Sequence, residues 1–376
     1  MIALSPRRGP RIEVGSAEFA AEPDWCAAAI RGLSAFANKA APDPECIAGL
    51  SAHGWERLQA LKIDGLVTTG AVNAPLRRAY QHIAEIQYAS VIELVEALTA
   101  REIRPLLFKG IDLWPRHFVG CAPSVMGDID LLVERGAVGS ARAALLGLGL
   151  RQAYFDQDSG ELIDADIADI ADVERSHYEM YPFRRLLPID LDRESTAALR
   201  ASKAKMPLVF DTEDRVWLID EIDLHHGVAL DVDAGPLFSR ARAATVPGGL
   251  ALDPADHLWL ITSRFYNEVA LHGKRSLRDF AYIAAILRDE RLDWDRMLEV
   301  AAEYEMRPAL FYYLRFVDSL FTRSRVKETI WRALDPRRGS RLRDWGWQLA
   351  PLLDSLDPMP LAVRRSAARV EPDEAG

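Results

Sequence analysis

LLFKGIDLWPRHFVGCAPSVMGDIDLLVER, residues 106–135, is the stretch on which the reading of this chain turns. Its first apolar run ends in Lys109-Gly110, and its second opens with Asp128 and Asp130, one residue apart. A surface loop would explain the two carboxylates but not Ile129, Leu131, Leu132 and Val133. A buried strand would explain those four but not the carboxylates. A strand with one buried face and one face on a polar cleft explains both. Residues i and i+2 of a strand point the same way, about 6.6 Å apart. Two like charges held so in a low-dielectric cleft repel, and one takes up a proton. A divalent cation removes that conflict, and a pair of Mg²⁺ ions bridged by carboxylates suits an in-line phosphoryl displacement.

The first half of the stretch points to the same chemistry. Gly110 follows a strand and opens a helix, so backbone there can approach a ligand closely. Helix N-terminal amides favour phosphate oxygens, and Lys109 stands beside them to neutralise the same group. Asp-x-Asp occurs six times, so the bare pattern decides nothing. Asp293 and Asp295 precede a helical run and read as a cap. The pairs at 156/158 and 164/166 lie in a polar acidic stretch, and Asp231 and Asp233 in a turn. Only Asp128-Ile129-Asp130 runs straight into an apolar segment.

Around this segment the period of the apolar residues changes. Residues 17–100 read as a helical region, with a long amphipathic run, APLRRAYQHIAEIQYASVIELVEALTAREI. From Arg104-Pro105 the pattern is strand, helix, strand, helix: PLLF, GIDLWPRHF, DIDLLV and GAVGSARAALLGLGL. The acidic FDQDSGELIDADIADIADVE reads as a loop or helical insertion. Strands are then expected in HYEMYPF, LLPIDLD, PLVF, RVWLI and EIDLHHGV. The expected organisation is a loose tail over 1–16, helices over 17–100, an α/β (α+β) core with a mixed sheet over 101–250, a helical domain over 251–356, and a disordered tail over 357–376.

The chain has 376 residues and a net charge of −10, which argues against broad nonspecific nucleic-acid binding. Three scattered cysteines give neither a disulfide framework nor a metal-ligand spacing. No run approaches eighteen apolar residues and no signal peptide is evident, so no membrane span and a cytoplasmic location are expected. The basic segment from Arg323 to Arg343, with Trp331, reads as a solvated helix rather than an RNA contact.

LLFKG, then MGDIDLLV after a short helix, then EIDLHHGV, together resemble the uncharacterised nucleotidyltransferase family of the polymerase-β-like superfamily. SHYEMYPF and the helical SLRDFAYIAAIL extend the likeness over residues 80–320. The resemblance implies a nucleotidyltransferase core. In it Asp128 and Asp130 would ligate Mg²⁺ (or Mn²⁺), and Asp223 would be the third carboxylate that positions or deprotonates the attacking hydroxyl. Gly110 with Lys109 would hold the nucleotide phosphates. Arg278, in HGKRSLRD with Lys274 and Arg275, either reaches the triphosphate or lies on a solvated helix face.

Asp190 in LLPIDLD competes with Asp223 for the third place. The family often has an arginine shortly before the Asp pair, where this chain has Ser124. That contact is then missing or comes from Arg116, Arg184 or Arg185. Of His225 and His226 at most one faces the site. The implied reaction moves a nucleoside monophosphate from an NTP such as ATP to an acceptor, releasing pyrophosphate. A small molecule or protein is favoured as acceptor over nucleic acid, and the oligomeric state is open. The alternatives are a noncatalytic nucleotide- or partner-binding relative and a toxin-like tRNA nucleotidyltransferase.

Overall fold

Apolar residues at three- and four-residue steps set the helices that frame the sheet. The computed structural model describes residues 25–41, 49–67, 73–202, 206–211, 215–229, 232–272 and 276–335. The expected tails, Asp231, Lys274, Arg275 and the end of the basic segment lie outside them. The N-terminal helices are α1 (Trp25–Ala37), α2 (Ala52–Ala60), α3 (Asp64–Val67) and α4 (Ala74–Thr99). In α4 the buried stripe runs through Leu76, Ala79, Tyr80, Ile83, Gln87, Val91, Leu94, Val95 and Leu98, with proline in the first turn where its missing N–H costs nothing.

The central segment forms β1 (Leu106–Leu107), α5 (Gly110–His117), β2 (Ile129–Leu132) and α6 (Val138–Gly147), as the sequence predicts. The acidic stretch does not stay a loop. It makes the hairpin β3 (Arg151–Asp156) and β4 (Glu161–Asp164), followed by α7 (Ile167–Ser176). Tyr154 and Ile163 are cross-strand partners, and both stay largely exposed, so the apolar pattern that announces a half-buried strand is absent.

HYEMYPF is not a strand: His177 is exposed at the end of α7, and β5 (Phe183–Ile189) starts at its last residue. After α8 (Arg193–Ala201) and β6 (Leu208–Phe210), RVWLI and EIDLHH join into one strand, β7 (Val216–His225). The remainder is α9 (Gly235–Arg240), β8 (Arg242–Ala243), β9 (Leu250–Ala251), α10 (Pro254–His272), α11 (Arg278–Asp289), α12 (Trp294–Glu303), α13 (Arg307–Asp318) and α14 (Glu328–Leu334).

The nine strands form one mixed sheet in the order β4-β3-β5-β7-β2-β1-β9-β8, with β6 pairing the first half of β7. β2 and β7 run parallel, as do β1 and β9, and the other pairings are antiparallel. Burial alternates along β7. Val216, Leu218, Asp220, Ile222 and Leu224 are buried on one face, while Glu221 and Asp223 on the other are only half-buried. The buried face packs against α4, where the Ser90 hydroxyl donates to Asp220 at 2.6 Å.

At the other end of the chain, Phe265, Phe280, Tyr313 and Phe316 stack α10, α11 and α13 together, with ring centroids 4.5 to 5.5 Å apart. The helix ends meet: α1 packs on α11, and Ser34 and the Asn38 amide both donate to the Leu320 carbonyl. No described helix is long and apolar enough to cross a membrane.

Candidate functional site

Two parallel strands create the site. Asp130 and Asp223 are Cα partners in the β2–β7 ladder, so their side chains leave the sheet on the same face. Leu131 and Leu224, one step on, are also partners and are fully buried on the opposite face. That is the arrangement the mixed pattern of Asp-Ile-Asp-Leu-Leu-Val requires. Asp128 lies just before β2, half-buried, two residues from Asp130. His225, two residues beyond Asp223, is fully buried and brings Nε2 to 3.2 Å from Asp130 Oδ1. Phe108 meets its ring edge-on at 5.2 Å and Tyr178 stacks on it at 6.1 Å.

Asp190 is elsewhere. It is exposed beyond β5, whose last residue Ile189 pairs with Val216 at the far end of β7. Asp223, not Asp190, is the carboxylate brought beside Asp130.

The cleft concentrates negative charge and answers it with three cations. Lys109 places Nζ 2.6 Å from Asp130 Oδ1. Arg264 on α10 pairs with Glu179 at 3.3 Å and Glu268 at 3.2 Å. Arg278, buried at the start of α11, donates to the Val125 carbonyl at 3.3 Å and lies 5.7 Å from the Tyr282 ring centre. Burial alone would raise the pKa of Asp130, but the Lys109 ammonium, the His225 hydrogen bond and Arg264 outweigh it and hold the group far below the usual carboxylate range. Asp223 goes the other way: burial, then the charges of Asp128 and Asp130, push it well up. Burial works against the charge of Arg278, yet Tyr282, Asp279, Asp128 and Asp130 keep it firmly protonated.

The loop before Asp128 is pinned from three sides. The Gln87 side-chain amide donates to Met126 O at 3.0 Å, Gly65 N donates to Pro123 O at 3.0 Å, and Arg278 takes Val125 O. Arg278 therefore reaches, from α11, the loop that holds Ser124. The arginines suggested as substitutes are committed elsewhere. Arg116 binds Asp112 and Ala243 O, Arg184 binds Glu221 and Ala153 O, and Arg185 binds Asp220, Glu93 and Ser90 on the rear of the sheet.

Gly110 also serves differently from expectation. A Cβ there would stand 2.8 Å from Met126 Sδ and 2.9 Å from the Tyr282 hydroxyl, so its close approach is to protein.

The donor set suits a divalent cation. Asp130, Asp223 and His225 each offer an atom, and all three atoms lie within 4.8 Å of one another. This corrects the expected trio. Among the described residues His225 takes the third place, and Asp128 stands outside the group as a neighbouring charge. Glu179, Arg264 and His257 are further site residues that the motif reading missed. A lone arginine in the apolar run LWLITSRFY was the available signal for Arg264. Glu179 and His257 gave none.

The profile of a family described as uncharacterised nucleotidyltransferase matches residues 48–322, well over half of the chain. No curated protein and no solved structure matches the chain.

Proposed function

The chain belongs to the uncharacterised nucleotidyltransferase family, and from that premise we propose that it transfers a nucleoside monophosphate from an NTP to an acceptor in the Asp130–Asp223 cleft. The observation that carries this reading is the register pairing of Asp130 with Asp223 on parallel strands, with Asp128 and His225 on either side. Asp130, Asp223 and His225 would hold a divalent cation, Mg²⁺ or Mn²⁺, with Asp128 beside them, and the ion's contribution would be to neutralise charge on the phosphates.

The protein's own groups do the rest. Lys109, Arg278 and Arg264 line the cleft with positive charge for a triphosphate. Asp223, whose pKa the neighbouring acids raise, is the group suited to take the proton of the acceptor hydroxyl. The acceptor oxygen forms a bond to the α-phosphorus as the bond to the bridging oxygen breaks, and pyrophosphate leaves with that electron pair. Phosphoryl transfer needs little covalent help, so positioning and charge supply most of the rate. The acidic balance of the whole chain favours a small-molecule or protein acceptor over nucleic acid.

The test is calorimetric titration with ATP, GTP, CTP and UTP, with and without Mg²⁺, followed by transfer of labelled nucleotide to a cell extract. Binding that needs the ion and disappears in Asp128→Asn/Asp130→Asn supports the reading. Equal binding without metal and in the double variant overturns it. One observation favours a second reading, a noncatalytic nucleotide-binding relative: the Lys109 ammonium already satisfies Asp130. Binding without transfer to any extract fraction would favour it.

A further inference from the structure

Lys109 has a backbone conformation that its side chain does not favour. It sits at φ +59°, ψ −136°, immediately before α5, a region that residues with a Cβ seldom enter. Such a conformation persists only where the surroundings over-determine it. Here they act on both ends of the residue. Its ammonium lies on Asp130 at 2.6 Å, and its amide donates to His257 Nε2 at 2.8 Å.

His257 is almost fully buried in the first turn of α10, 148 positions along the chain. Because Nε2 accepts an N–H, that nitrogen is bare, and a neutral ring must carry its proton on Nδ1. Nδ1 faces Asp112 Oδ2 at 3.7 Å, and neither atom has a hydrogen-bond partner of its own among the described residues. The other oxygen of Asp112, itself buried, is taken by Arg116 at 3.0 Å. Burial, then the charges of Arg242, His117 and Arg116, lower the His257 pKa to about 3, so the ring stays neutral and keeps its acceptor over the working range of pH.

We propose that His257, oriented by Asp112, is a positioning residue that holds the Lys109 backbone in its unfavoured pose and so fixes the ammonium at the Asp130 side of the cleft. The chain Asp112–His257–Lys109–Asp130 links α5, α10 and β2 through polar contacts with defined donors and acceptors. A buried histidine is a costly way to fill space. A leucine would fill it equally well but would leave the Lys109 amide unpaired and the lysine free to relax. The acceptor atom, rather than the ring, is what the pose needs. The effect on nucleotide rests on the function proposed above, whereas the hydrogen-bond chain does not.

The experiment uses the full chain and four variants: His257→Leu, His257→Gln, Lys109→Met and the double variant Lys109→Met/His257→Leu. The readouts are calorimetric affinity for a non-hydrolysable ATP analogue with Mg²⁺, and exchange protection of the Lys109 amide. His257→Leu is expected to weaken binding about tenfold, as expected for a lost hydrogen bond to a charged group. Lys109→Met should lose as much, and the double variant no more than either. His257→Gln, whose side-chain oxygen can accept the amide, should restore both affinity and protection. A Leu variant that melts earlier but keeps its affinity and its Lys109 protection overturns the proposal.

Nitrogen-15 spectra of the unmutated protein provide a check that does not depend on how the variants fold. A His257 ring protonated on Nδ1 and bare on Nε2 supports the chain, and the opposite tautomer or a charged ring sinks it. Should the unmutated protein bind no nucleotide, the function proposed above fails, while tautomer and amide exchange still decide the role of His257.

Discussion

Asp130 and Asp223 are register partners whose surroundings push their protonation in opposite directions. Divergent pKa values in a close pair are how one site keeps a permanent anion beside a group that can receive a proton. For Asp223 the folded pKa lies above the unfolded one, so its ionised form destabilises the metal-free fold. That penalty is present above the folded pKa and disappears as pH falls through it toward the unfolded value. Asp223→Asn should therefore raise the melting temperature of the metal-free protein, on the order of 2 °C at neutral pH. The gain should shrink on acidification, while nucleotide transfer is lost. Thermal melts across a pH series in chelator check this, and a variant that melts lower at every pH contradicts it.

Lys109 competes with any cation for Asp130, because its ammonium already sits on Oδ1. Lys109→Met removes the competitor and also a partner for the triphosphate. Two affinities should then move in opposite directions. Mn²⁺ binding without nucleotide should tighten, and nucleotide binding should weaken, each by about tenfold. Calorimetry on the two ligands separately checks the signs. A parallel loss in both would mean that Lys109 supports the cation rather than displacing it.

How much of this was legible follows from where the information lies. Asp128, Asp130 and the KG turn sit within one segment, and their meaning follows from strand alternation over a few residues. The choice of Asp223 over Asp190 rested on resemblance, since both have near-identical flanks. Only the pairing of β7 with β2 at one end and of Val216 with Ile189 at the other separates them. The β3–β4 hairpin was missed because Tyr154 and Ile163 are exposed and leave no buried alternation to read. His257 and Glu179 act through contacts more than forty residues away in sequence, which no local pattern encodes.

The arginines divide by the face of the sheet they reach. Arg185 binds buried Asp220 at 3.0 Å behind the sheet, whereas Arg278 lies toward Asp128 and Asp130. Arg185→Met strands the Asp220 carboxyl. The expected cost is roughly 3–5 kcal/mol, that of breaking a buried pair, with nucleotide affinity unchanged in the folded protein. Arg278→Met should instead weaken nucleotide binding by about tenfold or more. Chemical denaturation and calorimetry on both variants separate these outcomes, and a nucleotide defect in folded Arg185→Met would contradict the division.

Gly110 is a packing requirement at the mouth of the site. A methyl group there would stand 2.8 Å from Met126 Sδ and 2.9 Å from the Tyr282 hydroxyl, inside contact distance for both. Met126 is flexible enough to move. Tyr282 is not, because its hydroxyl accepts from Trp114 Nε1 at 2.9 Å and its ring lies against Arg278. Gly110→Ala should therefore cost about 1–3 kcal/mol, the usual range for overpacking. It should also disturb Arg278 through Tyr282, weakening nucleotide binding in protein that still folds. Met126→Ala in the same chain opens space for the methyl group on one side only. It should recover part of the stability lost to the clash, and the nucleotide defect should remain, because the pressure on Tyr282 remains. Denaturation curves and calorimetry on the single and double variants test this. Full recovery of affinity by Met126→Ala would show that Tyr282 does not transmit the clash.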